Sequence, residues 1–272
     1  MRIRPTVLKL GGSVITRKDK PFTANKKAIT RLAAEIQQAD VGPLILIHGG
    51  GSFGHPVAKE HGIDKGYTDQ SQLIGFSETH QAMTALNRMV LAALISHNIP
   101  TLEVQPSSCV VTKSGRIEVI ETRPLERLLE MGFVPVLYGD VVVDSEKGFA
   151  ILSGDQLISS LAIRLAADRI IVGADVDGLY SADPKTHPSA HLIHRITMPE
   201  LKRLQHIIGE ANVTDVTGGM LGKVLELMPA VEHGIHTTIV NAAKPNNVYK
   251  ALKGQRVVGT TIEGGLVDAK SS

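Results

Sequence analysis

Short apolar runs alternate with longer amphipathic stretches along most of the chain. Six runs have the length and composition of buried strands, at 6–10, 43–47, 101–104, 134–137, 169–172 and 237–240. Apolar residues recur at helical spacing in the stretches between them, at 26–38, 72–97, 124–131, 156–167, 199–207 and 221–233. This alternation predicts an α/β fold in which helices cover both faces of a largely parallel sheet.

Two pairs of shorter runs interrupt this pattern. The runs 108–112 and 116–120, and then 141–144 and 148–152, have turn residues between their members and predict two β-hairpins. We expect these hairpins to form a flap over a site. Because the chain has no low-complexity linker and no internal repeat, we predict a single domain, 1–272, with approximate lobes 1–170 and 171–272.

The amino-acid composition disfavours several classes of binding partner. The 29 basic and 27 acidic residues are intermixed and nearly cancel, which disfavours binding to nucleic acid or to a membrane surface. The single cysteine excludes an intramolecular disulfide and fits a reducing cytoplasm, where we expect the protein to be located. No stretch predicts a membrane span or a secretion signal, so any bound anion must be held by a local site.

Three glycine-rich turns lie at predicted junctions of strand and helix. Their sequences are KLGGS at 9–13, HGGGSFGH at 48–55 and DVTGGM at 215–220. Backbone N–H groups and the positive end of a helix dipole bind phosphate oxygens at such junctions. One such turn is equally consistent with ordinary chain reversal, because glycine also serves wherever φ must be positive. Three in one chain, two of them accompanied by lysine, favour phosphate chemistry.

The lysines near these turns are the candidates for catalysis. Phosphoryl transfer requires positive charge along the line of the reacting oxygens, which Lys9, Lys18 and Lys223 can supply. Lys9 lies inside an apolar strand, where an unpaired ammonium group is costly to bury, so we expect it to contact an anion. Lys18 lies in a polar stretch that by itself is more typical of a solvated loop. The turns match neither the Walker P-loop nor the dinucleotide-binding fingerprint, which disfavours P-loop enzymes and NAD-linked oxidoreductases.

An acidic, turn-rich segment, ADVDGLYSADP at 174–184, follows the fifth predicted strand. Its carboxylates can accept hydrogen bonds from the sugar or base of a nucleotide. Aspartate and glycine are also typical of ordinary turns, so the segment alone predicts only a turn.

Taken in this order, the motifs resemble the amino acid kinase superfamily across essentially the whole chain. The matching motifs are LKLGGS at 8–13, HGGGSFGH at 48–55, SGD at 153–155, ADVDGLYSADP at 174–184 and DVTGGMLGK at 215–223. The histidine that ends the second glycine turn and YGDV at 138–141 are similar to the isopentenyl phosphate kinase branch. The resemblance implies a three-layer αβα sandwich with a largely parallel central sheet. It also implies ATP-dependent phosphorylation of isopentenyl phosphate to isopentenyl diphosphate, a step of isoprenoid precursor synthesis by an alternative mevalonate route.

The resemblance further implies that the lobe 1–170 holds the acceptor phosphate and the lobe 171–272 the nucleotide, and it implies roles for individual residues. Lys9 and Lys18 would neutralise the transferring phosphoryl group, His55 would hydrogen-bond the acceptor phosphate, and Asp155 would organise the lysines. Gly50 and Gly154 would offer backbone N–H groups to the acceptor side. The residues implied for ATP are Lys9, Gly11, Gly12, Ser13, Gly51, Asp175, Asp177, Tyr180, Asp183, Gly218, Gly219 and Lys223. Mg²⁺ would be held through the ATP phosphates rather than by a dedicated protein site, and the assembly would be a homodimer.

The five-carbon tail of such an acceptor requires an apolar slot beside the phosphate site. The stretch 72–97 carries Phe76, Thr79, Met83, Leu86 and Val90 at helical spacing. Core packing is the commoner reason for such a stripe. We nevertheless predict that Phe76, Thr79 and Met83 limit the length of the tail.

Three alternative functions stay open at this point. A phosphonate kinase of the fosfomycin type is similar around the second glycine turn, and a carboxylate kinase would have a more polar acceptor pocket. A nucleotide-binding storage or regulatory module would keep the fold without turnover. Loss of a catalytic lysine would favour that last function, but Lys9, Lys18 and Lys223 are all present.

Overall fold

A computed structural model describes residues 3–184, 186–203 and 220–264 of the chain. Its strands are β1 (Thr6–Leu10), β2 (Leu44–His48), β3 (Thr101–Glu103), β4 (Val110–Lys113), β5 (Arg116–Ile120), β6 (Val134–Tyr138), β7 (Asp140–Asp144), β8 (Gly148–Leu152), β9 (Arg169–Ala174), β10 (Arg195–Thr197), β11 (His236–Asn241) and β12 (Gly259–Glu263). Its helices are α1 (Gly12–Ile15), α2 (Lys26–Ala39), α3 (Gly54–Glu60), α4 (Gln72–Ser96), α5 (Pro106–Cys109), α6 (Arg123–Glu130), α7 (Gly154–Arg164), α8 (Met220–Glu232) and α9 (Asn247–Leu252). A short 3₁₀ helix spans Ile63–Lys65, and residues 198–203 are also helical.

An eight-stranded sheet in the order β10-β12-β11-β9-β1-β2-β6-β3 forms the central layer. Every neighbouring pair is parallel except β11 with β12. All residues of β1 and β2 are buried, and successive side chains enter different cores. Val7 packs with α7 and α8 on one face, and Leu8 packs with α2 and α4 on the other. Burial on both faces explains why these strands are mainly apolar, and the predicted three-layer αβα arrangement is confirmed.

The six predicted strands are present, each within two residues of its predicted bounds. The helix predicted at 156–167 instead begins at Gly154, because the Ser153 side chain accepts a hydrogen bond from the Asp155 N–H and caps the first turn. Sequence periodicity missed α1, α3, α5 and α9, which have seven residues or fewer. Helices of one or two turns are too short to show a period. The helix predicted at 199–207 begins at residue 198, and its predicted end lies outside the described residues.

A second sheet of four strands, β5-β4-β7-β8, contains both predicted hairpins. Buried Asp144 joins them, since its carboxylate accepts hydrogen bonds from the N–H groups of Gly115 at 2.7 Å and Lys147 at 2.8 Å and from the Thr112 hydroxyl at 2.8 Å. Burial alone would raise the pKa of Asp144, but these donors outweigh it and lower that pKa. The two hairpins are therefore tied into one unit, which supplies part of a cavity wall.

The predicted lobe boundary near Ile171 falls within β9, in the middle of the large sheet. The two halves of the chain therefore share one sheet. Assignment of one half to the acceptor and the other to the nucleotide stays a prediction. Among the described residues, no helix combines the length and the apolar character needed to cross a lipid bilayer.

Candidate active site

A cavity of about 650 Å³ opens where β1, β2, β6 and β9 end. Carboxyl ends of parallel strands are the usual position of ligand sites in α/β sheets. The wall is formed by the first two glycine turns, the first residues of α3 and α7, part of α4, the end of β8, the turn after β9 and the first turn of α8. The sequence-predicted residues that line this cavity are Lys9, Gly11, Gly12, Ser13, Lys18, Gly50, Gly51, His55, Thr79, Met83, Gly154, Asp155, Asp175 and Lys223.

The first two glycine turns touch each other through their backbones. A Cβ atom added to Gly12 would lie 2.3 Å from the Gly51 nitrogen, and one added to Gly51 would lie 2.1 Å from the Thr16 hydroxyl oxygen. Gly51 also has φ of +50°, which disfavours any side chain there. The Thr16 hydroxyl fixes this contact by accepting a hydrogen bond from the Ser52 N–H at 3.1 Å and donating one to the Gly12 carbonyl at 2.7 Å. The two turns consequently act as one rigid wall.

Lys9 and Asp155 form a buried ion pair at the base of the cavity. Their side chains are 5% and 13% exposed. Burial lowers the pKa of the Lys9 ammonium, the Asp155 carboxylate opposes this shift, and the charge of Lys223 adds to it. Sequence reasoning proposed Asp155 as an organiser of the lysines, and the structure brings it to Lys9.

Lys18 and Asp175 form a second ion pair at the rim of the cavity. The Lys18 Nζ lies 2.7 Å from the Asp175 Oδ2, and the side chains are 62% and 33% exposed. The Ser13 side chain of the first glycine turn also lies beside this carboxylate. Burial raises the pKa of Asp175, but the Lys18 ammonium and the Ser13 side chain outweigh burial and lower it. Asp175 therefore lies between the loop that carries Lys18 and the first glycine turn.

His55 is exposed and is the second residue of α3. The turn leading to it packs on α4, because a Cβ atom at Gly50 or Gly54 would lie within 2.8 Å of the Met83 sulfur. Beyond His55 the wall is mainly apolar, with Ala58, Met83, Ile151 and Leu152. The cavity thus offers a histidine and backbone donors next to an apolar surface.

Four predicted site residues are described in the structure but do not line the cavity. Phe76 packs on Phe149, with ring centroids 5.3 Å apart, in a small apolar cluster that also contains the cavity residue Ala58. The other three, Asp177, Tyr180 and Asp183, lie further along the turn after β9. The predicted residues Gly218 and Gly219 lie outside the described residues.

Asp177 is bonded to the loop that follows β11. Its carboxylate accepts hydrogen bonds from the Lys244 ammonium at 2.9 Å, the Asn241 amide at 3.0 Å and the Tyr180 hydroxyl at 3.5 Å. Burial raises the pKa of Asp177, but these three donors outweigh burial and lower it. The loop is anchored from behind by buried Glu35, whose carboxylate accepts hydrogen bonds from backbone N–H groups at the start of α9.

Sequence reasoning missed Asp140 as a cavity residue. Its carboxylate is enclosed, and both oxygens lie 3.1 Å from the Nδ1 of His80 on α4. The motif YGDV contained the signal, since it puts a charged residue at the end of an apolar strand. Burial raises the pKa of Asp140, and the neighbouring His80 opposes that shift. The pair fixes α4 to the second sheet beside the cavity.

His48, the last residue of β2, has a structural role. Its ring is buried, stacks on Tyr138 with centroids 5.4 Å apart, and has its Nε2 3.1 Å from the Asn87 side-chain oxygen. Burial lowers the pKa of His48. A neutral His48 therefore supports the second glycine turn from within the core.

The cavity is surrounded by glycine turns, helix starts, lysines and a histidine. These features define an α/β protein that binds phosphate groups. The amino acid kinase family model matches residues 4–241. The isopentenyl phosphate kinase of Methanothermobacter thermautotrophicus is 43% identical over 265 residues, covering 95% of this chain and 98% of that protein. The isopentenyl phosphate kinase of Methanocaldococcus jannaschii is 36% identical over 271 residues, covering 95% of this chain and 98% of that protein. A solved isopentenyl phosphate kinase structure superposes with a TM-score of 0.84 at 39% identity, covering 95% of this chain and 100% of that chain.

These matches extend over nearly the whole chain, and the family model covers all the strands that end at the cavity. The chain belongs to the amino acid kinase family.

Proposed function

We propose that this protein transfers the γ-phosphoryl group of ATP to isopentenyl phosphate, giving isopentenyl diphosphate and ADP. The observation that carries the proposal is a single cavity in which His55 and two lysine–aspartate pairs adjoin an apolar wall. Similarity to the named isopentenyl phosphate kinases supports the same acceptor. A carboxylate kinase would instead need polar partners where Met83, Ile151 and Leu152 line the cavity.

Phosphoryl transfer requires little covalent chemistry from the protein. A phosphate oxygen of the acceptor attacks the γ-phosphorus, the bond from that phosphorus to the β,γ-bridging oxygen breaks, and ADP leaves with the electron pair. The acceptor already carries an anionic oxygen, so no general base is required. The barrier lies in bringing two anions together, which fixed donors and positive charges lower. In our proposal His55 and the N–H groups of Gly50 and Gly154 hold the acceptor phosphate, while Lys9 and Lys18 neutralise the transferring group.

For ATP we propose the first glycine turn, Gly51 and Lys223 as phosphate contacts, and the turn after β9 as the adenosine side. Mg²⁺ would arrive on the ATP phosphates and neutralise part of their charge. The carboxylates of the cavity support this arrangement, because Asp155, Asp175 and Asp140 are each engaged by a lysine or histidine. Within the described residues, no group of three histidine, cysteine or acidic side chains is arranged to hold a metal ion.

Thr79 and Met83 are the predicted tail-length residues that line the cavity, and Phe76 packs against the apolar cluster that contains the cavity residue Ala58. We propose that the acceptor tail lies against this wall, with Phe76 supporting it indirectly.

We also propose that the protein acts as a homodimer in the cytoplasm. Exposed apolar residues on α4, Ile74 at 65% and Ile95 at 59% exposure, are consistent with pairing through helices. The single cysteine is consistent with a reducing compartment.

The test is ADP release measured with isopentenyl phosphate, fosfomycin, acetylglutamate or no acceptor, with the product identified by ³¹P NMR. Wild type is compared with His55→Ala and with His236→Ala. His236 is an exposed control at the amino-terminal end of β11, the edge of the sheet opposite the cavity.

Of the acceptors tested, we expect only isopentenyl phosphate to support ADP release. We expect His55→Ala to lower kcat/KM for this acceptor by about 10²-fold, the usual loss for one oxyanion donor. The His236→Ala control should match wild type. Preference for another acceptor would reject the proposed substrate, and ATP binding without turnover on any acceptor would favour a regulatory module.

A further inference from the structure

We propose that Asp175 is a positioning residue for Lys18, holding its ammonium group at the rim of the cavity and releasing it to the phosphoryl group when ATP binds. The inference deepens the proposed function and rests on it, because it assigns Lys18 to phosphoryl transfer. It also gives Asp175 a role different from the adenosine contact implied by resemblance.

The geometry assigns the two partners unequal positions. Asp175 directly follows β9, whose last residue Ala174 is buried, so its backbone is held at the carboxyl end of a central strand. Lys18 lies in the exposed loop 17–22 and reaches the cavity only through its long side chain. The 2.7 Å contact therefore gives a flexible cation one defined position beside the phosphate-binding turns.

The segment that carries Asp175 is held in place by the first glycine turn. The Gly11 N–H donates a hydrogen bond to the Gly173 carbonyl at 2.8 Å, and the Ser13 side chain lies beside the Asp175 carboxylate. The parallel pairing of β1 with β9 fixes this arrangement. Lys18 is thus positioned against the same backbone that is proposed to bind the ATP phosphates.

The exposure of the pair makes the contact exchangeable. An ion pair that water reaches is weak, because solvent screens the attraction and ordering the side chains has an entropic cost. A polyphosphate carries more negative charge than one carboxylate, so it can take Lys18 from Asp175. The buried pair of Lys9 and Asp155 does not have this freedom, since separating it would leave a charge in the interior.

A positioning role and a direct adenosine contact differ in one measurable respect. If Asp175 acts through Lys18, its substitution should matter only while Lys18 is present. If Asp175 binds the nucleotide directly, its substitution should weaken ATP binding whether or not Lys18 is present. A double-mutant cycle separates the two roles.

The experiment compares wild type, Asp175→Asn, Lys18→Met and the double variant. ATP affinity is measured by calorimetry without acceptor, and kcat is measured with isopentenyl phosphate. Asp19→Asn is the matched control, because Asp19 is an exposed carboxylate next to Lys18 that pairs with Arg17 at 3.5 Å and does not line the cavity.

We expect Asp175→Asn to lower kcat about 10-fold and to tighten ATP binding a few-fold, because Lys18 no longer has to leave a carboxylate. Both effects should disappear in the Lys18→Met background, and Asp19→Asn should behave as wild type. Equal effects of Asp175→Asn in both backgrounds, or weaker ATP binding in both, would overturn the proposal.

Failure of the proposed function is visible separately. If wild type binds ATP but does not phosphorylate isopentenyl phosphate, the acceptor assignment falls, and the ATP affinities alone decide the role of Asp175. Tightening that requires Lys18 then supports the positioning role, and any effect independent of Lys18 rejects it.

Discussion

The cavity contains two lysine–aspartate pairs that differ in nearly every physical respect except composition. Lys9 and Asp155 are enclosed between β1 and the start of α7. Lys18 and Asp175 lie in a surface loop and a turn, where water reaches both partners. One pair belongs to the framework of the fold, and the other is a contact that can open.

This difference explains how a site can hold positive charge before and during catalysis. Preorganised charge is effective in a transition state because no reorganisation is needed at that moment, and Lys9 meets that condition through burial. A second charge that follows a moving phosphoryl group needs freedom, and Lys18 has it through exposure.

Lys9→Met should damage both activity and stability. We expect kcat to fall by about 10²–10³-fold, since a preorganised charge is removed. Unfolding in urea should show a loss of roughly 3–5 kcal/mol, because Asp155 is left as an uncompensated charge in the interior. Adding Asp155→Asn should recover part of the stability but none of the activity. Lys27→Met, on the exposed side of α2, is the control, and unaltered stability of Lys9→Met would contradict a framework role.

Lys18→Met should lower activity but leave stability nearly unchanged. We expect kcat to fall by about 10–100-fold, while the free energy of unfolding changes by less than about 1 kcal/mol, because an exposed pair adds little to stability. Steady-state kinetics and urea denaturation on the same preparation provide the measurement. A stability loss as large as that of Lys9→Met would remove the distinction between the two pairs.

The smallest expected effect is on the pH dependence of stability. The pKa of Asp175 is lowered in the folded protein. Its contribution is therefore present above the unfolded pKa of about 3.9 and is lost as pH falls through the lower folded value. Asp175→Asn should lose less stability than wild type between pH 5 and pH 2.5. The difference should be under about 1 kcal/mol because water screens the pair. An equal loss of the free energy of unfolding in the two proteins across this range would contradict the stabilising role of the Asp175 carboxylate.

Local signals in the sequence were sufficient for much of the framework. The bounds of β1 follow from its apolar run, and α2 and α4 follow from helical spacing, because periodicity is a property of neighbouring residues. The glycine turns were identified in the same way. The contact between Gly12 and Gly51 could not be identified in this way, since only the parallel pairing of β1 with β2 brings their backbones together.

Local sequence patterns did not predict the separate roles of the residues in the turn after β9. Asp175, Asp177, Tyr180 and Asp183 formed one acidic segment in the sequence, yet of these four only Asp175 lines the cavity. Asp177 instead accepts hydrogen bonds from Asn241, the last residue of β11, and from Lys244 in the loop that follows. Composition cannot separate neighbouring carboxylates, because their partners come from distant parts of the chain.

The sequence by itself determined the α/β class, the six main strands and the longer helices between them, the glycine turns and the lysines next to them. The tertiary structure decided which charges pair and which of them water reaches. Lys18 and Asp175 are 157 positions apart and meet only because β9 lies beside β1 in the sheet. The apolar run around Lys9 and the polar stretch around Lys18 indicated which lysine is buried, but the carboxylate that pairs with each lysine is fixed by the packed chain and has no local signal.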